Sequence, residues 1–475
     1  MTSTTTPSPH LAPPPPALST RRRWTVLAVC ALSMFLVGLD TTVVNVGLPA
    51  IGRDLDVDVR GLEWVVDAYT VVLAGLLVTS GALADRFGRR RVFQCGLVVF
   101  GTASVACALA PGAGALVAAR AAQGVGASML SPVALAIVVG AMPDARERAR
   151  AIGVWASVFG LSMAAGPVVG GALVEGVGWR ALFWVNAPVV LAALLLSAVF
   201  VPESRAPRPR PLDLPGQALL ALTVLAAVGV LIEAPRTGWT SPAALAGCAA
   251  AVAGTTAFIL VERRRAAPLM DLALFARPAF AGAVLGAAAV FTALSAALLL
   301  NTLYLQHTRG FSALEAGLTT LPMALGATVC APLSGALTGR RGPRLPLLTA
   351  GGFLAAGGGC LVGLTASTPL WLLLTASLLL GVGFGFANAP LTDTAVGGLP
   401  KERAAVAGAI TSTARQVGSA VGVAVAGGLL AGAAPGALAT AARPGWLTVA
   451  ACGGALLAVA RLSGRSPNSR RPQDK

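Results

Sequence analysis

Charged side chains are scarce in this sequence: Asp, Glu, Lys and Arg together make up 11% of its 475 residues. A soluble domain carries about 25% charged residues. The scarcity excludes a soluble enzyme of this length. The apolar share of 56% and the mean hydropathy of +0.77 indicate instead a polytopic membrane protein.

Lysine and histidine are almost absent, and each absence excludes a chemistry. The two lysines, Lys401 and Lys475, do not follow a glycine, so no phosphate-binding loop ending in Gly-Lys exists. The two histidines, His10 and His307, lie in a tail and a loop, which excludes a His-based zinc site or a Ser/His dyad in the bilayer. The seven cysteines form no Cys-x-x-Cys pair. We therefore expect no enzyme, no metal and no cofactor, and a carrier driven by an ion gradient.

Long apolar runs fill most of the chain. A membrane-spanning helix needs about 20 mostly apolar residues. The sequence offers fourteen such runs and predicts an all-α membrane protein with fourteen transmembrane helices. They cover roughly 24–48, 62–83, 91–110, 113–141, 149–174, 179–201, 214–234, 242–261, 279–304, 313–338, 345–365, 369–391, 403–431 and 444–462.

The basic residues fix the expected orientation. With the N-terminus inside, 27 of the 35 Lys and Arg residues fall on the inner side and six on the outer side. Because cytoplasmic loops are rich in Lys and Arg, we predict that both termini are cytoplasmic. The same loops account for the net charge of +16 without nucleic acid as a partner. Residues 21–23 are three arginines and resemble a twin-arginine signal, but no cleavage site follows, so we interpret them as the inner flank of helix 1.

Two stretches of the chain repeat at nearly the same spacing. GALADRFGRR at 81–90 and GALTGRRGPR at 335–344 lie 254 residues apart, and Gly-Val-Gly recurs at 124–126 and 381–383. This offset of eight helices predicts two six-helix halves separated by two inserted helices, an architecture typical of transporters. The predicted parts are a disordered tail 1–23, a first half 24–201, inserted helices 214–261, a second half 279–462 and a tail 463–475.

Four ionisable residues stand out within the predicted spans, where a charge at the centre costs about 2.5–3.5 kcal/mol on insertion scales. Asp40, Asp67 and Arg120 lie about 8–12 Å below the outer end of their helices at 1.5 Å per residue. An Asp and an Arg at one depth can neutralise each other. Such a pair is either a proton-coupling site or a permanent structural ion pair. Asp67 also fits a hydrated carboxylate at the interface. Arg415 lies at mid-depth. The sequence leaves three alternatives open for its partner: an anionic substrate group, a helix C-terminus or polar packing.

Several motifs, in order along residues 24–462, resemble the major facilitator superfamily and within it the fourteen-helix drug:proton antiporter family of the EmrB/QacA type. They are LDTTVVNVGLP at 39–49, WVVDAY at 64–69, the loop at 81–91, RAAQGVG at 120–126, GPVVGG at 166–171 after Gly160, and WR at 179–180 with FWVNAP at 183–188.

The resemblance implies roles for individual residues. It implies proton coupling by Asp40, Arg120 and Asp67. It implies that the inner loop holds the two halves together through Gly81, Asp85, Arg86, Gly88 and Arg89. It implies an antiporter motif formed by Gly160, Gly166, Pro167, Gly170 and Gly171.

A candidate substrate cavity lies between the predicted halves. Relatives that move lipophilic dications carry extra carboxylates in the second half, where this chain has Ala327, Thr411, Ser412 and Arg415. We therefore expect neutral or anionic amphiphiles as cargo. The candidate cavity residues are Asn45, Gln123, Trp155, Tyr304, Asn388 and Arg415.

The function that these observations favour is a proton-coupled efflux transporter that exports an antibiotic, drug or other amphiphilic metabolite by alternating access. Its partners are protons, the small-molecule cargo and the lipid bilayer, and it acts as a monomer in a bacterial plasma membrane. The alternatives are a proton-coupled uptake symporter and a transport-inactive membrane sensor.

Overall fold

The computed structural model describes residues 19–205, 213–265, 269–270, 272–397, 399, 401–431, 433 and 437–463. Within these ranges the chain is helical, with turns and no strand. The first part holds α1 (Thr20–Leu55), α2 (Val59–Phe87), α3 (Arg89–Ala108), α4 (Ala113–Ser128), α5 (Ser131–Ala141), α6 (Ala145–Gly176), α7 (Ala181–Trp184) and α8 (Asn186–Phe200).

The rest of the chain continues in the same way after a break. It holds α9 (Leu214–Thr237), α10 (Pro242–Arg264), a 3-10 turn (Leu272–Ala276), α11 (Pro278–Leu303) extended by a π-helical segment (Tyr304–Thr308), α12 (Ala313–Arg341), α13 (Arg344–Leu361), α14 (Leu370–Val396), α15 (Lys401–Leu430), α16 (Leu438–Ala441) and α17 (Arg443–Ser463).

Eleven helices among the described residues are long and apolar enough to cross a membrane, when α4 is joined to α5, α7 to α8 and α16 to α17. The protein is therefore a multi-pass membrane protein. Three further helices, α6, α13 and α15, have 32, 18 and 30 residues and are not among the eleven. Each of them contains at least five Gly residues together with Arg, which lowers its hydropathy.

Helix boundaries differ from the sequence prediction at several places, and two of the differences have a plain local cause. The run predicted as one helix over 113–141 is interrupted at 129–130, because Pro132 begins α5 and has no N–H to continue the helical ladder. Helix α1 starts at Thr20 instead of residue 24, because the Ser19 side chain accepts a hydrogen bond from the Arg22 N–H. The remaining residues of the predicted tails, 1–18 and 464–475, lie outside the described residues.

The end of the bundle at which α1 begins is called the near end, and the end at which α1 stops is called the far end. One hydrophobic core, called the far-end core because it joins the two predicted halves at that end, includes Leu39 and Val43 of α1. In the second half it continues along the bundle to near-end residues such as Leu347 and Ala460. Towards the near end the halves have separate cores. One belongs to the first half and contains Val37 and Phe93, and the other belongs to the second half and contains Phe280 and Ile410.

The two turns that carry the sequence repeat are built alike at the near end. Gly88 ends α2 with φ +112°, and Gly342, 254 residues later, ends α12 with φ +77°. Such φ values favour glycine, because a Cβ atom strains this backbone conformation. In each turn a glycine N–H closes the helix on the carbonyl four residues earlier, Ala84 in one and Thr338 in the other.

Helices α9 and α10 pack on the outside of the bundle. Helix α9 contacts both α2 and α15, so it touches both halves, whereas α10 packs mainly on α9. Val71 of α2, Val228 of α9 and Ala424 of α15 share one small core. The inserted pair therefore covers one side of the junction between the halves.

Candidate functional site

Asp40 lies at the centre of a buried polar cluster in the first half. Its Oδ2 atom accepts a 2.6 Å hydrogen bond from Arg120 Nη1, and its Oδ1 atom accepts from Gln123 Nε2 at 2.8 Å and Asn186 Nδ2 at 3.1 Å. Asn186 also donates to Ser104 Oγ at 3.0 Å. All five side chains are at most 1% exposed. The carboxylate therefore has three donors and no contact with solvent.

Four helices build this cluster. Asp40 comes from the middle of α1, Ser104 from α3, Arg120 and Gln123 from successive turns of α4, and Asn186 from the first turn of α8. Residues three apart on a helix share a face, so Arg120 and Gln123 meet the same carboxylate. Gln123 Oε1 also accepts from Arg120 Nη1 at 2.7 Å, which fixes its amide orientation.

The Arg120 guanidinium is held on several sides. Its Nε donates to the Val65 carbonyl at 3.1 Å, and its Cζ lies 4.3 Å from the centre of the Tyr69 ring and 5.8 Å from that of Phe183. A buried ion pair is tolerated when its remaining donors and acceptors are satisfied, and removal of one partner costs about 3–5 kcal/mol. Removal of one charge of this pair would leave the other one uncompensated.

The glycines at 166–171 form the packing junction of α1, α6 and α12. A Cβ atom on Gly166 would collide with the Thr42 side chain, and one on Gly170 would lie 2.9 Å from Val43 Cγ2. On another face of α6, a Cβ atom on Gly171 would lie 2.5 Å from the Ala313 carbonyl of α12.

The proline of this motif also lies at the junction. A Cβ atom on Gly317 of α12 would collide with the carbonyl of Pro167 in α6. The motif therefore sets how closely α6 approaches α1 beside Asp40. It also sets how closely α6 approaches α12, which belongs to the other predicted half. Gly160 also belongs to α6, but its surroundings lie outside what the structure describes.

Asp67 is completely buried in α2, and neither of its carboxylate oxygens has a hydrogen-bond partner. The interpretation as a hydrated interfacial carboxylate does not fit this burial. One turn towards the far end, Glu63 is also buried and accepts a 3.1 Å hydrogen bond from Arg236 of α9. The structure thus places two buried carboxylates, Glu63 and Asp67, one turn apart on α2, beside α9.

The inner loop is anchored within the first half. Asp85 pairs with Arg89 four residues later at 3.0 Å, and Arg86 lies beside the ring of Phe87. A Cβ atom on Gly88 would lie 2.6 Å from the Glu203 carboxylate, while nothing lies within 4 Å of a Cβ atom on Gly81. The role of these residues in joining the two halves stays a prediction, because the described contacts of Asp85 remain within one half.

The other candidate cavity residues have different surroundings. Asn45 donates to the Thr41 carbonyl of its own helix, and Tyr304 is buried in the far-end core with its hydroxyl donating to the Thr365 carbonyl. Gln123 belongs to the Asp40 cluster. Trp155 packs against the near-end core of the first half. Asn388 and Arg415 are half-buried in the second half.

An apolar crevice of about 530 Å³ opens between the near-end parts of α1 and α6. Binding sites for drug-sized molecules have volumes of about 300–1,000 Å³, and the volume of this crevice lies within that range. Its lining residues include Trp24, Leu27, Ala31, Phe35, Val154 and Val158.

Some members of the polar clusters are not apparent from the sequence. Asn186 lies in a motif but carries no charge to mark it, and Ser104, Glu63 and Arg236 stand out by neither type nor spacing. The available signal is indirect: a lone Asn at the start of an apolar run needs a partner when it is buried. The hydrogen-bond partner of such a residue depends on which face of each helix points inward. Only the packed structure shows this orientation.

A bundle of membrane helices built from two halves that share one core, with a buried ion pair inside, is typical of membrane transporters. Residues 30–423 match the family model described as Major Facilitator Superfamily. The chain belongs to this superfamily.

Curated relatives cover most of the chain. It is 39% identical over 411 residues to the multidrug resistance protein Stp of Mycobacterium tuberculosis (86% of this chain and 76% of that protein). It is 37% identical over 412 residues to the tetracenomycin C resistance and export protein of Streptomyces glaucescens, with the same coverage. It is 35% identical over 406 residues to the multidrug efflux pump LfrA of Mycolicibacterium smegmatis (86% and 80%).

Solved structures share the fold at low sequence identity. A bacterial homolog of the human lysosomal transporter Spinster, in an inward-facing and occupied conformation, superposes with a TM-score of 0.64 at 19% identity, covering 94% of this chain and 97% of that one. A point mutant of the peptide transporter POT, in complex with sulfate, gives 0.67 at 18% identity, covering 92% and 95%. These similarities concern the fold alone.

Proposed function

We propose that this protein is a proton-coupled efflux antiporter that exports an amphiphilic small molecule, such as an antibiotic, across a bacterial plasma membrane. The observation that carries the proposal is the Asp40–Arg120 ion pair, which is buried in the first half at 2.6 Å. The names of the curated relatives, which include resistance and export proteins, support efflux as the direction of transport.

The proposed arrangement has fourteen membrane helices. The three Gly-rich helices α6, α13 and α15 join the eleven apolar ones, and the even count leaves both termini cytoplasmic at the near end. It acts as a monomer of the EmrB/QacA type. In this arrangement the separate near-end cores correspond to an inward-open state.

Asp40 fits a coupling site because of its position in the bundle. Leu39 belongs to the far-end core and Val37 to the near-end core of the first half, so Asp40 lies where the two meet. Protonation of Asp40 removes its attraction for Arg120 and frees α1 from α4. Helix α1 also accepts a 2.9 Å hydrogen bond from Gln306 to the Val46 carbonyl, across the far-end seam. Movement of α1 is thereby transmitted to the contact between the halves.

Asp67 is the second proposed proton site. An ionised carboxylate without any hydrogen-bond partner in an apolar interior costs several kcal/mol, and this conformation offers Asp67 no such partner among the described residues. Asp40 with three donors and Asp67 with none thus differ in how well their surroundings stabilise a negative charge. The proposed cycle uses this difference between two carboxylates within the first two helices.

Proton release from inverted membrane vesicles tests the proposal. Vesicles are energised to an acidic lumen, and antibiotics and dyes are added one at a time while lumenal pH is recorded. The expected result is that at least one compound releases lumenal protons with the native protein and not with Asp40→Asn.

Asp54→Asn is the matched control, because Asp54 lies on the same helix but in an exposed pair with Arg180, 47% and 44% exposed. This control should release protons like the native protein. Proton release that survives in Asp40→Asn would disprove the assignment of Asp40.

A further inference from the structure

The two intramembrane arginines have opposite surroundings. Arg120 has a carboxylate partner and a closed set of hydrogen bonds. Arg415, near the middle of α15, has no Asp or Glu oxygen within 4 Å among the described residues. Its described hydrogen bond joins Nη2 to Thr392 Oγ1 of α14 at 2.6 Å. A guanidinium has five N–H donors, so most of them remain for another acceptor.

The position of Arg415 is fixed by close helix packing. Three residues further along α15, a Cβ atom on Gly418 would collide with the Ala288 carbonyl of α11. The Gly418 carbonyl accepts a 3.0 Å hydrogen bond from Thr292 Oγ1 of α11. The Thr392 hydroxyl that accepts from Arg415 itself donates to the Asn388 carbonyl at 2.9 Å. The guanidinium is therefore held between α11 and α14, and Arg415 is half-buried.

Aromatic rings lie beside this cation. The Arg415 Cζ atom lies 6.0 Å from the centre of the Phe291 ring. Phe291 in turn meets Phe384 edge to face, with ring centres 5.4 Å apart. A fixed cation next to an aromatic pair, at mid-depth between two helices of one half, matches the charge and the shape of an aromatic anion.

We propose that Arg415 binds the anionic group of the exported molecule, with Phe291 and Phe384 against its aromatic part, so that the cargo class is aromatic carboxylates and related aromatic anions. This inference rests on the proposed export function, and names its substrate class. A cation that only served packing would need a carboxylate or a full set of acceptors at this depth, and the described residues offer one hydroxyl.

Equilibrium binding to the full-length protein in lipid nanodiscs tests this assignment. The probes are 2-naphthoate and 2-naphthamide at pH 7.5, which share one ring system and differ in charge. The readout is the ratio of their affinities. We expect the native protein to favour the naphthoate by about tenfold, as for hydrogen bonds to a charged group. Arg415→Gln should abolish the preference, and Arg415→Lys should keep part of it. Arg340→Gln, which removes an exposed near-end cation, should leave it unchanged.

A ratio near one for the native protein, or no binding of either probe, would overturn the proposal. A preference that persists in Arg415→Gln would overturn it as well, because the anion would then bind elsewhere. Loss of affinity for both probes at an unchanged ratio would assign Arg415 to packing. The outcome is independent of proton coupling. A naphthoate preference that depends on Arg415, found together with proton release that survives in Asp40→Asn, would leave the anion site standing and reject the coupling assignment.

Discussion

At the scale of single residues, the Asp40 cluster shows how a charge is kept inside a membrane protein. Asp40 needs more than its ion pair with Arg120, because each carboxylate oxygen accepts hydrogen bonds that must be replaced when water is removed. Gln123 and Asn186 supply two of them to Oδ1. The neutral amides satisfy the anion without adding charge, so the cluster as a whole stays neutral.

Asn186→Ala should therefore destabilise the protein. The change removes one donor from Asp40 and one from Ser104, and a hydrogen bond to a charged group contributes about 1.5–3 kcal/mol. Thermal unfolding in nanodiscs should show a lowered midpoint. Asn45→Ala is the matched control: Asn45 is also buried, but among the described residues its amide donates to the carbonyl of Thr41 on its own helix and to no other residue. Equal midpoints for the two variants would show that Asn186 does not support the carboxylate.

The sequence predicts part of this site, and for physical reasons the rest is hidden. Asp40 and Arg120 are apparent because a charge inside an apolar run is costly and must be compensated. Their equal depth follows from the rise of a helix. Asn186 and Ser104 cost little in any position, so the apolar pattern does not mark them. Glu63 and Arg236 lie 173 residues apart in the chain, and only the packing of α9 against α2 shows that they pair.

At the scale of helices, glycines determine the distance between α6 and α12. A Cβ atom on Gly171 would lie 2.5 Å from the Ala313 carbonyl and 2.6 Å from the Leu314 Cα atom. Both are backbone atoms, which cannot rotate away as a side chain can. The far-end contact between the halves therefore depends on glycine at this position.

Gly171→Ala should shift the protein towards a state that is open at the far end. Overpacking of this kind costs about 1–3 kcal/mol, and that cost falls on the far-end-closed state. In a background without native cysteines, Asn45→Cys should react several-fold faster with an impermeant maleimide when Gly171→Ala is present. Gly176→Ala, where nothing lies within 4 Å of the added Cβ atom, should not change the labelling rate. Unchanged labelling in Gly171→Ala would mean that the seam adjusts without opening.

Helix α9 is joined to α2 by two ion pairs that differ in burial. Arg236 pairs with Glu63, and their side chains are 19% and 0% exposed. Arg60 pairs with Glu233 closer to solvent, at 51% and 28% exposed. Of these two ion pairs the buried one contributes more to holding α9, because exposed pairs contribute about 0–1 kcal/mol.

Arg236→Gln should be much more destabilising than Arg60→Gln. The first change leaves Glu63 buried without its cation, at a cost of about 3–5 kcal/mol, whereas the second removes a surface pair. Thermal unfolding of both variants in nanodiscs gives the comparison. Glu63→Gln in addition to Arg236→Gln should restore part of the loss, since no buried charge then remains. If the two single variants unfold at the same temperature, α9 is not held by the Glu63 pair.

At the scale of the whole molecule, the distribution of cores shows where the two halves meet. A shared far-end core and two separate near-end cores mean that the halves touch at one end and part at the other. Asp85 pairs within its own half in this arrangement. A rocking movement that closes the near end would bring the loop at 81–91 towards the second half, where the predicted contact can form.

Distances between spin labels at both ends should then change in opposite directions. Suitable exposed sites are Phe87 and Leu345 at the near end, and Val177 and Trp371 at the far end. Asp40→Asn imitates the protonated carboxylate and removes the attraction that holds α1 to α4. We expect it to shorten the near-end distance and lengthen the far-end distance, while Asp54→Asn leaves both unchanged. If Asp40→Asn moves only one of the two distances, protonation at Asp40 acts locally on α1 and the halves do not rock as units.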